Sequence, residues 1–264
     1  MIELLAYLGT GAVAGLLAGL LGVGGGLVIV PALAALYAMR GFPADSLMHY
    51  AIGSSLATIV PTSIASLVSH HRRGGIHWPV VHGLTPGIVL GVLGGAWLAA
   101  RITSPDLRLL FGGFELLVAL QLLSGRQPAA HRGLPGVAGL GFAGVVIGAV
   151  SAVLGIGGGT LTVPFLLWNG VDILHAVATS AACGLPIALA GTAAFAMEAT
   201  DGGALPAAGM HTGYVYWPAV AGIVSTSILA APLGARLAHY LPKPVLQRIF
   251  ALLLVVIGLR MVSG

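Results

Sequence analysis

Charge is what this sequence has least of. Of 264 residues only 7% are charged, 11 Lys or Arg against 7 Asp or Glu, while 58% are hydrophobic. A water-soluble domain of this length needs far more charge to cover its surface, so the composition points to a polytopic membrane protein. The few basic residues form no clustered face, and nucleic acid is not expected as a partner. The lone cysteine, Cys183, excludes an internal disulfide and a cysteine zinc site. No basic segment precedes the first apolar stretch after Met-Ile-Glu-Leu-Leu, which reads as a retained membrane helix rather than a cleavable signal. There is no His-Glu-x-x-His, no aspartate pair and no Gly-x-Ser-x-Gly elbow, so the chain is not expected to be an enzyme.

Glycine, by contrast, is abundant, with 41 residues. Gly-Leu-Leu-Gly-Val-Gly-Gly-Gly at 19–26 runs into Leu-Val-Ile-Val-Pro31, and Ala-Val-Leu-Gly-Ile-Gly-Gly-Gly at 152–159 runs into Thr-Leu-Thr-Val-Pro164. One unit has been used twice. The match extends to Ala51, Ser55, Ala57, Pro61 and Ala65, which align with Ala176, Ser180, Ala182, Pro186 and Ala190, and to Trp78-Pro79, which aligns with Trp217-Pro218.

Spans of about 20 apolar residues are needed to cross a bilayer. The expected fold is all-α, with about eight transmembrane helices in two four-helix repeats, 1–124 and 136–264, joined by a linker at 125–135 that holds Arg126, His131 and Arg132. The spacing predicts spans over 4–21, 47–68, 78–100, 107–123, 136–154, 174–197, 215–240 and 245–262, with half-helices over 27–39 and 160–168 after the glycines. Eight simple spans give only a slight basic asymmetry between the two sides. If each glycine break turns its half-helix back as a re-entrant hairpin, the count per repeat becomes odd and the halves are inverted.

Stripes such as Gly87, Gly91 and Gly95 put small residues on one helix face, which lets a neighbouring helix approach closely. Gly139-Leu-Gly-Phe-Ala-Gly144 fits a dinucleotide fingerprint by letter alone, with no strand or trailing acid around it, and no cofactor is expected. The runs of three glycines differ from both, because each disfavours continuous helix by about 1 kcal/mol per residue relative to alanine. Unwound backbone at membrane depth survives only where protein or an aqueous cavity satisfies it. The following half-helix would then present free N–H groups and a positive dipole end to the break, which suits an oxyanion. The alternative is a kink that serves packing alone.

Candidate substrate-binding residues are therefore Gly22, Gly24, Gly25 and Gly26 in the first break and Gly155, Gly157, Gly158 and Gly159 in the second. Hydroxyls behind them, Ser54 and Ser55 in one half and Thr179 and Ser180 in the other, either bond their own helix carbonyls or donate to an anion. Pro31, Pro61, Pro164 and Pro186 are candidate break or hinge positions. Glu115 is the clearest ionisable group inside a span; it either carries a coupling proton or pairs with a neighbouring base. His70, His71, His77 and His82 gather near one membrane face without a carboxylate or cysteine, so no metal site is expected.

With its paired Leu-Gly-Val-Gly-Gly-Gly and Leu-Gly-Ile-Gly-Gly-Gly motifs, each followed by Val-Pro, and the Leu233-Gly-Ala-Arg236 run, the sequence resembles the TauE/SafE family of sulfite exporters and sulfonate permeases. The first half has Gly53-Ser54-Ser55 where the family pattern has a Thr-Ser pair. The resemblance implies a secondary transporter in the bacterial inner membrane whose partners are the lipid bilayer and a small anion: sulfite, a sulfonate or another small oxyanion. An anion channel using the same helix ends is the alternative.

Overall fold

The computed structural model describes residues 2–21, 25–124, 133–198, 210–237 and 243–263. Gly22 and Gly24, the linker residues Arg126, His131 and Arg132, and Asp201 lie outside the described residues. The described chain forms α1 (Ile2–Leu21), α2 (Gly26–Met39), α3 (Leu47–Arg72), α4 (Trp78–Ala99), α5 (Ser104–Ser124), α6 (Val137–Leu154), α7 (Gly159–Trp168), α8 (Ile173–Met197), β1 (His211–Thr212), β2 (Val215–Tyr216), α9 (Trp217–Leu237) and α10 (Lys243–Ser263). Helices α3, α4, α5, α6 and α8 and the Trp217–Gly234 stretch of α9 are each long and apolar enough to cross a membrane. The chain is thus a helical, multi-pass membrane protein.

Several boundaries differ from the sequence expectation by a few residues, and two of them have a clear physical cause. α3 continues a turn past residue 68 to Arg72, where His70, His71 and Arg72 sit at the negative end of the helix dipole. The span expected from residue 215 begins instead at Trp217, because Val215 and Tyr216 pair with His211 and Thr212 in an antiparallel hairpin. Pro218 lacks an N–H and so suits the first turn, where none is needed.

Contacts fix the relative directions of the helices. A Cβ placed on Gly87, Gly91 or Gly95 of α4 would fall on the backbone of Gly141, Val145 or Ala149 of α6. The numbers rise together, so these helices run parallel. The same holds for α1 and α9, where Gly11 abuts Ile223 and Gly15 abuts Ser227. α3 and α8 run antiparallel, since Gly53 faces Phe195, Leu56 faces Gly191 and Ser63 faces Gly184. α5 and α10 also oppose each other, with Gly112 against Gly258 and the Arg108 guanidinium donating to the Arg260 carbonyl at 3.2 Å.

The two short helices turn back. Arg40, at the end of α2, pairs with Glu3 in the first turn of α1 at 3.0 Å, so α2 finishes where α1 starts. α7 leads through Asn169–Asp172 to the start of α8, which lies beside the start of α4: the His77 N–H donates to Thr179 Oγ1 at 3.0 Å. α6 begins at that same end, with Leu140 against Gly83. At about 1.5 Å per residue, the 14 residues of α2 and the 10 of α7 are too short for a hydrocarbon core about 30 Å thick.

Asp172 caps α8, accepting from the N–H groups of Leu174 and His175. The His175 N–H, followed by its ring, holds the Asp172 carboxyl below the usual carboxylate range. A lowered folded value means that the cap is fully present above the ordinary carboxylate pKa and fades as pH falls through the lowered one.

The α4–α6 contact yields a test of the packing. Gly91→Val would drive a side chain into the Val145 backbone, whereas the neighbouring Gly94 has nothing within 4 Å of an added Cβ. Overpacking costs about 1–3 kcal/mol or more. Thermal unfolding in detergent is expected to drop clearly for Gly91→Val and hardly at all for Gly94→Val; equal losses would show that the close approach is not what holds the pair.

Candidate functional site

The two glycine breaks meet. α6 ends at Leu154, and Gly155 takes the left-handed conformation, φ 66°, that a non-glycine residue resists. The Ile156 N–H returns to the Ser151 carbonyl at 3.1 Å, closing the helix. α7 then starts at Gly159 with Gly158 as N-cap and no side-chain cap. α2 likewise starts at Gly26 behind Gly25, again without a side-chain cap. The first N–H groups of both short helices lie beyond the helical ladder, which makes each start an electropositive end.

Gly26 packs on the other break: a Cβ there would lie 2.8 Å from Ile156 Cα and 2.9 Å from the Gly155 carbonyl oxygen. A Cβ on Gly155 would lie 3.0 Å from both Ile52 Cα and Val30 Cγ2. Ser55 of α3 donates to the Gly155 carbonyl at 2.8 Å. A Cβ on Gly158 would meet the Ser180 carbonyl at 3.1 Å and the Gly184 nitrogen at 3.2 Å on α8. Gly157 keeps an ordinary distance, 3.6 Å, from Ile59. Gly26, Ser55, Gly155, Gly157, Gly158 and Ser180, expected from two distant stretches of chain, thus share one buried region. Gly25 lies beside Ala14 of α1, and Gly159 is half-buried at the head of α7.

The four hydroxyls behind the breaks do not share one role. Ser55 crosses to the second break, whereas Ser180 donates to the Val177 carbonyl of its own helix at 3.0 Å. Ser54 accepts from the Tyr37 hydroxyl and from the Tyr216 N–H, each at 3.0 Å. Thr179 accepts from the His77 N–H. Both of those N–H groups come from the residue before a Trp-Pro, so Ser54 and Thr179 anchor equivalent helix starts.

Pro31, Pro61, Pro164 and Pro186 all lie inside helices, where each removes a backbone donor. Glu115 is fully buried on α5, and neither carboxylate oxygen has a hydrogen-bond partner among the described residues. No three His, Cys, Asp or Glu among the described residues gather as metal ligands. The histidines form an edge: His71 and His82 flank Trp78, and His77 meets His175 at 4.6 Å between ring centroids.

The sequence profile described as sulfite exporter TauE/SafE matches residues 7–261. The chain belongs to the TauE/SafE family. It is 36% identical over 253 residues to a probable membrane transporter protein of Haemophilus influenzae, covering 95% of each chain. It is 26% identical to a probable membrane transporter protein of Methanocaldococcus jannaschii, over 95% of this chain and 92% of the other. A Bacillus subtilis probable membrane transporter protein is also 26% identical, over 96% and 94%. No solved structure matches the chain. These relatives make this family member a membrane transporter.

One cluster escaped the sequence reading. Arg40 donates to the Tyr216 hydroxyl at 2.8 Å and to the Tyr7 hydroxyl at 3.4 Å, in addition to its pairing with Glu3. Tyr37 stacks on Phe42 at 4.4 Å, and Tyr50 packs edge-on against Phe42 and Tyr214. Tyr37 is 0% exposed and Tyr216 2%, so both rings are packed inside the molecule at the end where α2 finishes. These residues come from α1, α2 and the turn after it, α3 and the β1–β2 hairpin, and nothing in their spacing along the chain announces them. A groove of about 670 Å³ between α4, α5 and α6 includes Leu98, Leu109, Phe114 and Val150. All of its lining is apolar and none of the break glycines contributes, which is the chemistry of a lipid contact rather than of an anion site.

Proposed function

We propose that this family member is a secondary transporter for a small oxyanion, sulfite or a sulfonate, held where the two glycine breaks meet. The observation that carries the reading is the contact of Gly26 with Gly155 and Ile156: it brings the uncapped starts of α2 and α7 into one buried region, where dipole ends and N–H groups favour negative charge. The matching TauE/SafE profile supports the sulfur oxyanion, and a bacterial inner membrane is the setting that goes with it.

The architecture that accompanies this reading is a pair of inverted repeats. Each half contributes a hairpin, α1–α2 or α6–α7, that enters and leaves on one side, and three further crossings. Antiparallel α3 and α8, antiparallel α5 and α10, and the reciprocal parallel pairs α1–α9 and α6–α4 support this arrangement. So do the paired hydrogen bonds from Tyr216 to Ser54 and from His77 to Thr179. Alternating access then comes from rocking of the halves around the shared site.

Counterflow in proteoliposomes tests the reading. Labelled sulfite uptake is expected to saturate and to accelerate when unlabelled sulfite is trapped inside; flux that rises linearly with voltage without exchange would make the protein a channel. Glu115 is proposed as the coupling-proton carrier, since an unpaired carboxyl inside a span is costly to keep. Glu115→Gln is then expected to abolish the response of flux to a pH gradient while sparing sulfite exchange. An unchanged response would assign Glu115 to structure.

A further inference from the structure

The hydroxyls that sequence spacing singles out are already engaged: Ser55 with Gly155, Ser180 with Val177, Ser54 with Tyr37 and Tyr216, and Thr179 with His77. Two others are not. Ser151 Oγ and Thr162 Oγ1 are both fully buried and have no hydrogen-bond partner among the described residues, and both flank the second break. Among the described residues, the remaining buried side-chain atoms without a partner belong to His49, Glu115 and Thr192, on other helices.

Thr162 closes the first turn of α7, its N–H bonded to the Gly158 carbonyl at 2.8 Å. Side chains on a helix tilt toward its N-terminus, so Thr162 leans back over the break. Spacing by four puts it on the same stripe as Gly158, which faces Ser180 and Gly184 of α8. Ser151 lies in the last turn of α6, one turn before Gly155, and its carbonyl receives the Ile156 N–H. Either hydroxyl could have turned to a carbonyl of its own helix, the ordinary outcome for serine and threonine. A buried hydroxyl left without a partner costs free energy; Ser151 leans toward the N-terminus of α6, away from the break, whereas Thr162 leans over the electropositive start of α7 and marks a place built for an acceptor. The first break has no counterpart, since alignment of the two motifs puts Ala18 and Ile29 at the equivalent positions.

We propose that Thr162 donates a hydrogen bond to the bound oxyanion, so that the second break supplies a side-chain contact and the first supplies only backbone and shape. This rests on the anion-transporter reading above. Hydroxyl donors select oxyanions that present several acceptor oxygens, as sulfite and sulfonates do, over halides.

Binding of labelled sulfite to the purified protein, with taurine, sulfate, acetate and chloride as competitors, tests the assignment. A hydrogen bond to a charged group corresponds to roughly tenfold to a hundredfold in affinity. Thr162→Val is expected to weaken sulfite binding by about that factor, Thr162→Ser to restore it, and Thr85→Val, whose hydroxyl bonds the Val81 carbonyl of its own helix, to leave it unchanged. Because Thr162→Val removes an unpaired buried hydroxyl at nearly constant volume, the substrate-free variant is expected to unfold at the same temperature as the parent or higher. A structural hydroxyl would give the opposite result. Wild-type sulfite affinity in Thr162→Val overturns the assignment and leaves the transporter reading standing. Failure of the parent protein to bind any of the oxyanions overturns both.

Discussion

Gly26→Leu and Gly155→Leu are expected to abolish transport, the largest functional effect of any single substitution in this protein. At Gly26 the obstacle is backbone, Ile156 Cα and the Gly155 oxygen within 3 Å of the new Cβ, and backbone cannot swing aside as a side chain does. At Gly155 two penalties combine. The position holds φ 66°, where a side chain strains the chain by about 1–2 kcal/mol, and the new Cβ also presses on Ile52 Cα. Overpacking adds about 1–3 kcal/mol more. Gly25→Ala is a useful contrast, because the close contact of its Cβ, 2.9 Å, is with the tip of the Ile29 side chain, which can change rotamer. Initial rates of sulfite uptake, normalised to protein inserted in the membrane, check the series: near-parental rates for both leucine variants would remove the meeting of the breaks from the mechanism.

The second large effect is expected on stability, at Arg40. Its guanidinium ties the end of α2 to the start of α9 through Tyr216 and to α1 through Tyr7 and Glu3. These contacts are unequal. The Glu3 side chain is 55% exposed, and an ion pair in that position contributes about 0–1 kcal/mol. The bond to Tyr216 is short, and its acceptor sits on a buried ring, so it belongs with charged hydrogen bonds of about 1.5–3 kcal/mol. Arg40→Gln is therefore expected to lower the unfolding temperature in detergent markedly, Tyr216→Phe to reproduce most of that loss, and Glu3→Gln to have little effect. A Glu3→Gln loss equal to that of Arg40→Gln would show that the ion pair, rather than the tyrosine, closes this end.

Much of the fold was legible in the sequence because membrane insertion is a local rule. Each segment must be apolar and must satisfy its own backbone, so the spans over 47–68, 78–100, 107–123, 136–154 and 174–197 could be read from runs of apolar residues, with ends wrong by a few positions. The helix breaks were legible for the same reason, since three consecutive glycines disfavour helix wherever they fall. The matching motifs of the two halves pair Ser54 with Thr179 and Trp78 with Trp217 in the sequence itself.

Tertiary structure decided how those pieces are oriented and which polar groups remain free. Direction depends on contacts between residues far apart in the chain: Arg40 with Glu3 turns α2 back on α1, and the Gly87–Gly91–Gly95 face sets α4 parallel to α6. No local pattern encodes either. Sequence spacing could place Ser55 and Ser180 at matching points, but a hydroxyl's partner is chosen by whatever backbone lies within about 3 Å once the helices have packed. Ser55 reaches across to Gly155, Ser180 stays on its own helix, and Ser151 and Thr162, unremarkable in the sequence, are among those left buried without a partner among the described residues.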